Sequence, residues 1–360
     1  MSYVSLSAKT NKLEPSLALF ADIVRNPAFS QSEIDRLKPR WLARIEQEKS
    51  QPVQLALRNL PPLLYGSNHA YGIPLTGSGT EASISSLTRE DMQSFHATWI
   101  RPSNGTLFVV GDTTMEKILP QLENAFGNWK EDRRAIPKKN LATAALPEEA
   151  RVFIIDKPGS PQSLILAGHV APPTGVENNL DITTMNDILG GQFSARVNMN
   201  LREDKSWSYG AYTFMFDARG QRPWMVYAPV QTDKTMESVQ ELGKEFDQYL
   251  ATKPATAEEL SKSVHNNVNS LPGQYETGNS VMGALLANQR FGRPDDYVPT
   301  LKSKYESIKL ENVQGAAESV IHPGKLTWLI VGDRQQIEEK VRSMNLGKVS
   351  IMDVDGNIIE

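Results

Sequence analysis

Few side chains in this 360-residue sequence can bind a metal or act as a nucleophile: there is no cysteine, and there are five histidines, His69, His96, His169, His265 and His322. Without cysteine, disulfides, thiolate metal sites and cysteine nucleophiles are excluded. No two histidines fall within one helical turn, so no helix can present a histidine pair to a hydrolytic zinc. His169 lies in an apolar stretch and reads as a packed core residue. Asp112 and Asp333 each follow Val-Gly and read as strand-end turns. Trp207, Tyr212 and Trp224 could line a chamber, but core packing is the simpler reading. Ser160-Pro161-Gln162-Ser163 precedes an apolar strand and could approach an extended ligand by strand pairing. The most distinctive stretch is Leu189-Gly190-Gly191-Gln192-Phe193-Ser194-Ala195-Arg196, followed by Leu201-Arg202 and then Tyr209-Gly210. Its glycines are not a phosphate loop, since no Gly-Lys-Ser/Thr follows. On residue types alone, Arg202 pairs with a nearby carboxylate and Tyr209 packs, because surface ion pairs are common and mostly idle.

The elements around these residues follow from periodicity. Residues 13–24 carry apolar side chains at helical spacing, and Asn26-Pro27 stops them. Ser30 or Ser32 can cap a second helix carrying Ile34, Leu37, Trp41, Leu42 and Ile45, with Pro39 predicting a kink or a late start. Thr88 to Asp91 and Thr256 to Glu259 have capping-box shapes. Residues 151–156, 162–170, 208–216 and 224–230 read as strands, and 182–189 and 236–250 as helices. Gly190-Gly191 ends the first of these two helices. Strands come first, then mostly helices, then a last strand, which points to α+β layers rather than a doubly wound parallel sheet.

The sequence repeats internally. Ile100-Arg101-Pro102 through Leu107-Phe108-Val109-Val110-Gly111-Asp112 matches Ile321-His322-Pro323 through Trp328-Leu329-Ile330-Val331-Gly332-Asp333 at an offset of 221 residues without a gap. Each copy reads as a helix, a Pro turn, an apolar strand buried on both faces and a Gly-Asp stop. A second match, Ser32-Glu33-Ile34 with Glu258-Glu259-Leu260 and Leu64-Tyr65-Gly66 with Arg290-Phe291-Gly292, lies at an offset of 226. The second copy is preceded by about 85 residues of strands and a helix and the first by almost none, so the chain is expected to begin inside its first domain. The expected division is residues 1–130 as the C-terminal part of a first α+β repeat, 131–149 as a charged, proline-containing linker, and 150–360 as a complete second repeat.

Bulk composition narrows the function. Hydrophobic residues make up 39% and charged residues 22%, an ordinary globular profile with material for two cores. The net charge is −4 and no basic block stands out, which argues against nucleic acid. No apolar run approaches the ~20 residues of a membrane-spanning helix. The first six residues have no basic region followed by an apolar stretch, so no signal peptide is read there.

The LGG, S-R, LR and YG elements over residues 189–210 resemble the pitrilysin/insulinase family of zinc metallopeptidases, which includes the mitochondrial processing peptidase. Pro27-Ala28-Phe29, Tyr71-Gly72, Pro102-Ser103-Asn104 and Val110-Gly111-Asp112 extend the likeness over nearly the whole chain. The resemblance implies an α+β fold of two homologous domains, each a mixed, largely antiparallel sheet packed by helices, with the first truncated at its N-terminus. It implies that Arg202 and Tyr209 reach from the half opposite the metal toward the substrate backbone at the scissile bond. Cleavage at zinc builds negative charge on the carbonyl oxygen, and a guanidinium fork and a tyrosine hydroxyl can both donate to it. The family's catalytic half carries H-x-x-E-H and a downstream glutamate as third zinc ligand. No H-x-x-E-H occurs here, and the segment from Glu33 to Pro52 aligns so that the ligand glutamate falls on Arg44. A cation there would repel zinc. Glu46 and Glu48 read as solvated helix residues.

The resemblance therefore implies the degenerate, metal-free half of a clamshell peptidase, like the second half of long bacterial members. No cofactor is expected in this chain. Zinc is expected in a homologous partner half, on the same polypeptide or a separate subunit, with peptide as substrate and, by analogy with bacterial members, a periplasmic location. The competing readings are a non-catalytic scaffold of the same fold, as in respiratory-complex core subunits, and a zinc peptidase complete in itself, against which Arg44 and the missing motif argue.

Overall fold

A computed structural model describes residues 2–131 and 135–360, so part of the expected linker, residues 132–134, lies outside the described residues. The fold is α+β, and the chain forms two compact units. The first comprises Met1–Ala43, Thr80–Lys139 and Gln274–Leu286, and the second Arg44–Gly79, Asn140–Gly273 and Ala287–Glu360.

The first unit is helical. It contains α1 (Leu13–Arg25), the start of α2 (Gln31–Ser50), α4 (Glu81–Ser86), α5 (Arg89–Trp99) and α6 (Met115–Phe126), with α3 (Pro52–Tyr65) belonging to the second unit. Helix α1 ends where Asn26-Pro27 was expected to stop it, and α5 begins at a Thr88–Asp91 capping box. Pro39 sits inside α2 without ending it. Phe20 meets Phe126 edge-on with ring centres 6.1 Å apart, and Arg25 donates to the Ala125 carbonyl at 2.8 Å. Among the described residues only Leu17, Ala21, Ile34 and Ile118 are buried apolar side chains of this unit, while Leu19, Ile23 and Met115 are exposed. Residues 107–110, expected as a strand, form none, because no described strand in this unit offers them a hydrogen-bonding partner.

The second unit holds one mixed sheet of six strands: β1 (Arg151–Asp156), β2 (Gln162–Ala171), β3 (Tyr212–Met215), β4 (Arg222–Gln231), β5 (Thr327–Gly332) and β6 (Lys348–Met352). Their order is β3-β4-β2-β5-β1-β6. The β3–β4, β4–β2 and β2–β5 pairs are antiparallel, and β5–β1 and β1–β6 are parallel. Strand β6 gave no clear signal in the sequence, and β3 is shorter than the expected 208–216, because Ser208 and Gly210 are engaged in a turn.

The continuous apolar runs of β1, β2 and β5 are explained by burial on both faces. Val152, Ile154, Ile165, Trp224 and Ile330 face one helical layer. It is made of α7 (Asn179–Asn186), α9 (Thr235–Leu250), α13 (Leu310–Val320) and α14 (Arg334–Ser343). Phe153, Ile155, Leu164, Leu166, Leu329 and Val331 face α3, which buries Leu55, Leu60 and Leu64 against them. Each such leucine contributes roughly 1.5–3 kcal/mol. Between α7 and α9 the short α8 (Arg196–Asn198) leads into a π-helical turn at Met199–Asp204. The remaining helices are α10 (Ala257–Gln274), α11 (Gly278–Phe291) and α12 (Tyr297–Glu306).

Candidate functional site

The LGG stretch is a tightly seated turn. Helix α7 passes into a π-helical turn at Asp187–Gly191, and the helical backbone ends at the glycine pair, with Gln192 extended. A Cβ on Gly190 would sit 2.5 Å from Thr213 Oγ1 and 2.7 Å from the Thr213 amide nitrogen, so only glycine lets the turn lie on β3. Asn186 Nδ2 donates to the Thr213 carbonyl at 3.0 Å, and its Oδ1 accepts from Trp224 Nε1 at 3.0 Å. Asn198 Oδ1 accepts from the Ala211 amide at 3.1 Å, and its Nδ2 donates to the Phe193 carbonyl at 2.6 Å. Two buried asparagines thus occupy two backbone groups along the β3 margin, one way to protect an edge strand. At the other margin the Ile359 amide donates to the Ile351 carbonyl at 2.9 Å, and the Ile351 amide donates to the Glu360 carbonyl at 2.9 Å.

Arg196, the arginine of the S-R element, is an anchor for α10. Its Nε and Nη2 donate to the two Glu259 carboxylate oxygens at 2.6 Å each, its Nη2 also reaches the Pro254 carbonyl at 3.0 Å, and its Nη1 bonds the Lys253 carbonyl. Glu259 in turn closes the expected capping box with Thr256. Asp187 accepts from Asn267 Nδ2 at 2.8 Å and Ser263 Oγ at 3.3 Å, and burial raises its carboxyl above the ordinary value despite these donors.

Arg202 and Tyr209 stand at the two ends of one loop. The Trp207 amide closes it by donating to the Leu201 carbonyl at 2.9 Å, and Ser206 takes φ +57° between them. Arg202 lies in the π-helical turn with its guanidinium over the Phe193 ring, 4.5 Å from the centre, and its Nε 3.3 Å from the Glu203 carboxylate. So the carboxylate pairing expected on residue type alone is present. Tyr209 does not pack: it is 87% exposed. Its backbone neighbours are fixed, since Ser208 Oγ donates to the Pro229 carbonyl at 2.6 Å and accepts from the Gly210 amide at 3.1 Å.

The Arg44 position is a salt-bridge network. Arg44 Nε donates to Glu48 Oε1 at 3.0 Å, while Glu48 Oε2 accepts from Arg58 Nη1 at 2.9 Å and Ser78 Oγ at 2.5 Å. Glu46 is exposed, but Glu48 is only 6% exposed, correcting its reading as a solvated helix residue: Arg58, ten residues on, folds back over it. Burial raises the Glu48 carboxyl, but donors from Ser78, Arg58, Thr76 and Arg44 outweigh it and leave the carboxyl below its ordinary value. Two guanidiniums on one carboxylate are a poor fit for a divalent cation. Among the described residues no group of three or more His, Asp or Glu side chains is arranged to hold a metal.

The weaker candidates have structural places. His169 is buried against Trp224 at 5.2 Å between ring centres, and its Nε2 accepts from the His322 amide at 3.3 Å. Trp224 is in the core. Strand β2 pairs with β4 over Gln162–Ala171 and with β5 over Leu164–Gly168, so its middle has no open edge for an extended ligand. Sequence reasoning missed the two asparagines, which carried no signal beyond amides near a glycine pair.

Comparison with known proteins gives the same fold. The family model described as Peptidase M16 inactive domain matches residues 86–267. The chain is 22% identical over 308 residues to a Bacillus subtilis protein named uncharacterized zinc protease YmxG, covering 85% of this chain and 72% of that one. It is 21% identical over 327 residues to a Helicobacter pylori protein named non-peptidase homolog YmxG, covering 90% and 73%. Other relatives named as zinc proteases are spanned over 44% to 56% of their own length. The crystal structure of a peptidase M16 inactive domain from Pseudomonas fluorescens superposes with a TM-score of 0.79 at 24% identity, covering 91% of this chain and 76% of that one. No described helix is long and apolar enough to cross a membrane.

Proposed function

This chain belongs to the peptidase M16 inactive-domain family, the non-catalytic half of an M16 peptidase, and from that premise we propose that Arg202 and Tyr209 grip the substrate backbone while a homologous partner half supplies zinc. The observation that carries this is Tyr209, a large aromatic left 87% exposed on a loop whose backbone is hydrogen-bonded at both flanks. An exposed tyrosine gains nothing from packing, so a fixed position serves something outside the fold. Arg202 is braced in the same loop by Phe193 and Glu203, which limits its freedom and prepares the guanidinium to donate. Zinc, in the partner half, would polarise the scissile carbonyl. The residues of this chain would orient the peptide and donate hydrogen bonds to the oxygen where charge develops, a contribution that falls about 10²–10³-fold in kcat when one such donor is lost.

The test uses the complete peptidase with its zinc-bearing half. Arg202→Ala and Tyr209→Phe are each expected to lower kcat strongly with assembly and zinc content unchanged. Unaltered turnover in both variants would sink the proposal. It would favour a scaffold that keeps the fold without the chemistry, a reading in keeping with the name of the Helicobacter relative.

A further inference from the structure

A second polar site lies where three segments of the second unit meet. Arg222 opens β4 and is only 2% exposed, with its Nε and Nη2 buried and without a hydrogen-bond partner among the described residues. Among the described residues its one ion partner is Asp217, at 3.4 Å from Nη1, whose side chain is itself 53% exposed. Thr174 holds Asp217 in place, donating from Oγ1 to the carboxylate at 3.1 Å while its amide donates to the Ala218 carbonyl at 3.1 Å. Arg219 Nε donates to the Arg290 carbonyl at 2.7 Å, which ties this loop to the end of α11. Three residues further on, the Arg293 guanidinium stacks 4.4 Å from the Tyr297 ring centre. Burial pushes the Arg222 guanidinium below its ordinary value; Asp217 opposes the shift and Arg293 adds to it. Among the described residues no carboxylate other than Asp217 is in ion-pair range of these four arginines.

A guanidinium buried with two idle donors and one long ion pair is an expensive arrangement for stability alone. Its donors fit a ligand with several acceptor oxygens and negative charge. We propose that Arg222 and Arg293, with Arg219 and Arg290 around them, bind a compact oxyanion, a phosphate or a carboxylate, which displaces the half-exposed Asp217 side chain and takes the unused donors of Arg222. This site is separate from the Arg202 and Tyr209 reading and does not rest on it.

The experiment titrates the full chain with inorganic phosphate by calorimetry and phosphorus NMR, with sodium chloride of equal ionic strength as control. A parallel arm uses a short peptide ending in a free carboxylate and its amidated form. One saturable site per chain is expected, weakened at least tenfold by Arg222→Gln and by Arg293→Gln, and unchanged by Arg202→Gln. Tighter binding of phosphate or of the free-carboxylate peptide tells which source of the oxyanion the site prefers. A response to both ligands no greater than the chloride control, or an Arg293→Gln variant that binds like the parent, overturns the proposal. Should Arg222→Gln fail to fold, Arg219→Gln combined with Arg293→Gln, both on less buried side chains, decides it by the same loss of binding.

Discussion

Arg58 Nη1 donates to Glu48 Oε2 at 2.9 Å, and both side chains are buried. Removing Arg58 takes away one of the two guanidiniums on Glu48 and leaves Arg44 and Ser78 in place. Arg58→Met is therefore expected to lower unfolding free energy by about 1.5–3 kcal/mol in a urea titration. Glu48 adds a pH signature. Its folded value lies below its ordinary value of 4.5, so its contribution is complete above that value and is lost as pH falls through the lower folded value. Glu48→Gln should flatten the acid limb of the stability curve relative to the parent; equal limbs would count against the network.

His169 supplies a second pH dependence in a higher window. Burial, with His322 beside it, lowers its value from 6.5 to about 4. The unfolded chain therefore binds the proton more readily, and stability should fall as pH drops from 6.5 toward 4, by roughly 3 kcal/mol for this group. His169→Phe should remove that slope, leaving the smaller one from His322, whose value burial also lowers. Persistence of the full slope in the variant would assign it elsewhere.

Asn198 closes the β3 margin through the Ala211 amide. Asn198→Ala leaves the buried Ala211 amide without its partner, at about 1–3 kcal/mol. Asn186 still holds the Thr213 carbonyl and the glycine turn still lies on β3, so the edge stays closed. A lower urea midpoint with unchanged light scattering is expected; an unchanged midpoint would show that the Ala211 amide has another partner.

Tyr209→Phe separates function from fold. The side chain is 87% exposed, so the change should stay within about 0.5 kcal/mol in stability. A larger loss would mean that the hydroxyl has a structural partner, and the proposed role would then need another residue.

Local chemistry made much of this fold legible. Apolar runs at residues 151–156 and 162–170 announced strands buried on both faces, and Thr88 and Thr256 announced helix starts, because each signal is carried by neighbouring residues. Signals that depend on distant partners failed. Residues 107–110 have the composition of β5 but, among the described residues, no strand pairs with them, and Glu48 looked solvated because Arg58 and Ser78 reach it only through the tertiary fold. At the candidate site, the spacing of Arg202 and Tyr209 was readable as a family pattern. The exposure of Tyr209 was not, since it depends on the Leu201–Trp207 closure.

The sparse interior of the first unit has a calorimetric consequence. With Leu17, Ala21, Ile34 and Ile118 as its buried apolar side chains among the described residues, that unit has little to lose on melting, whereas the six-stranded sheet is covered on both faces. Heating should therefore produce a shallow early transition and a sharp later one, and a single midpoint temperature will not describe the molecule.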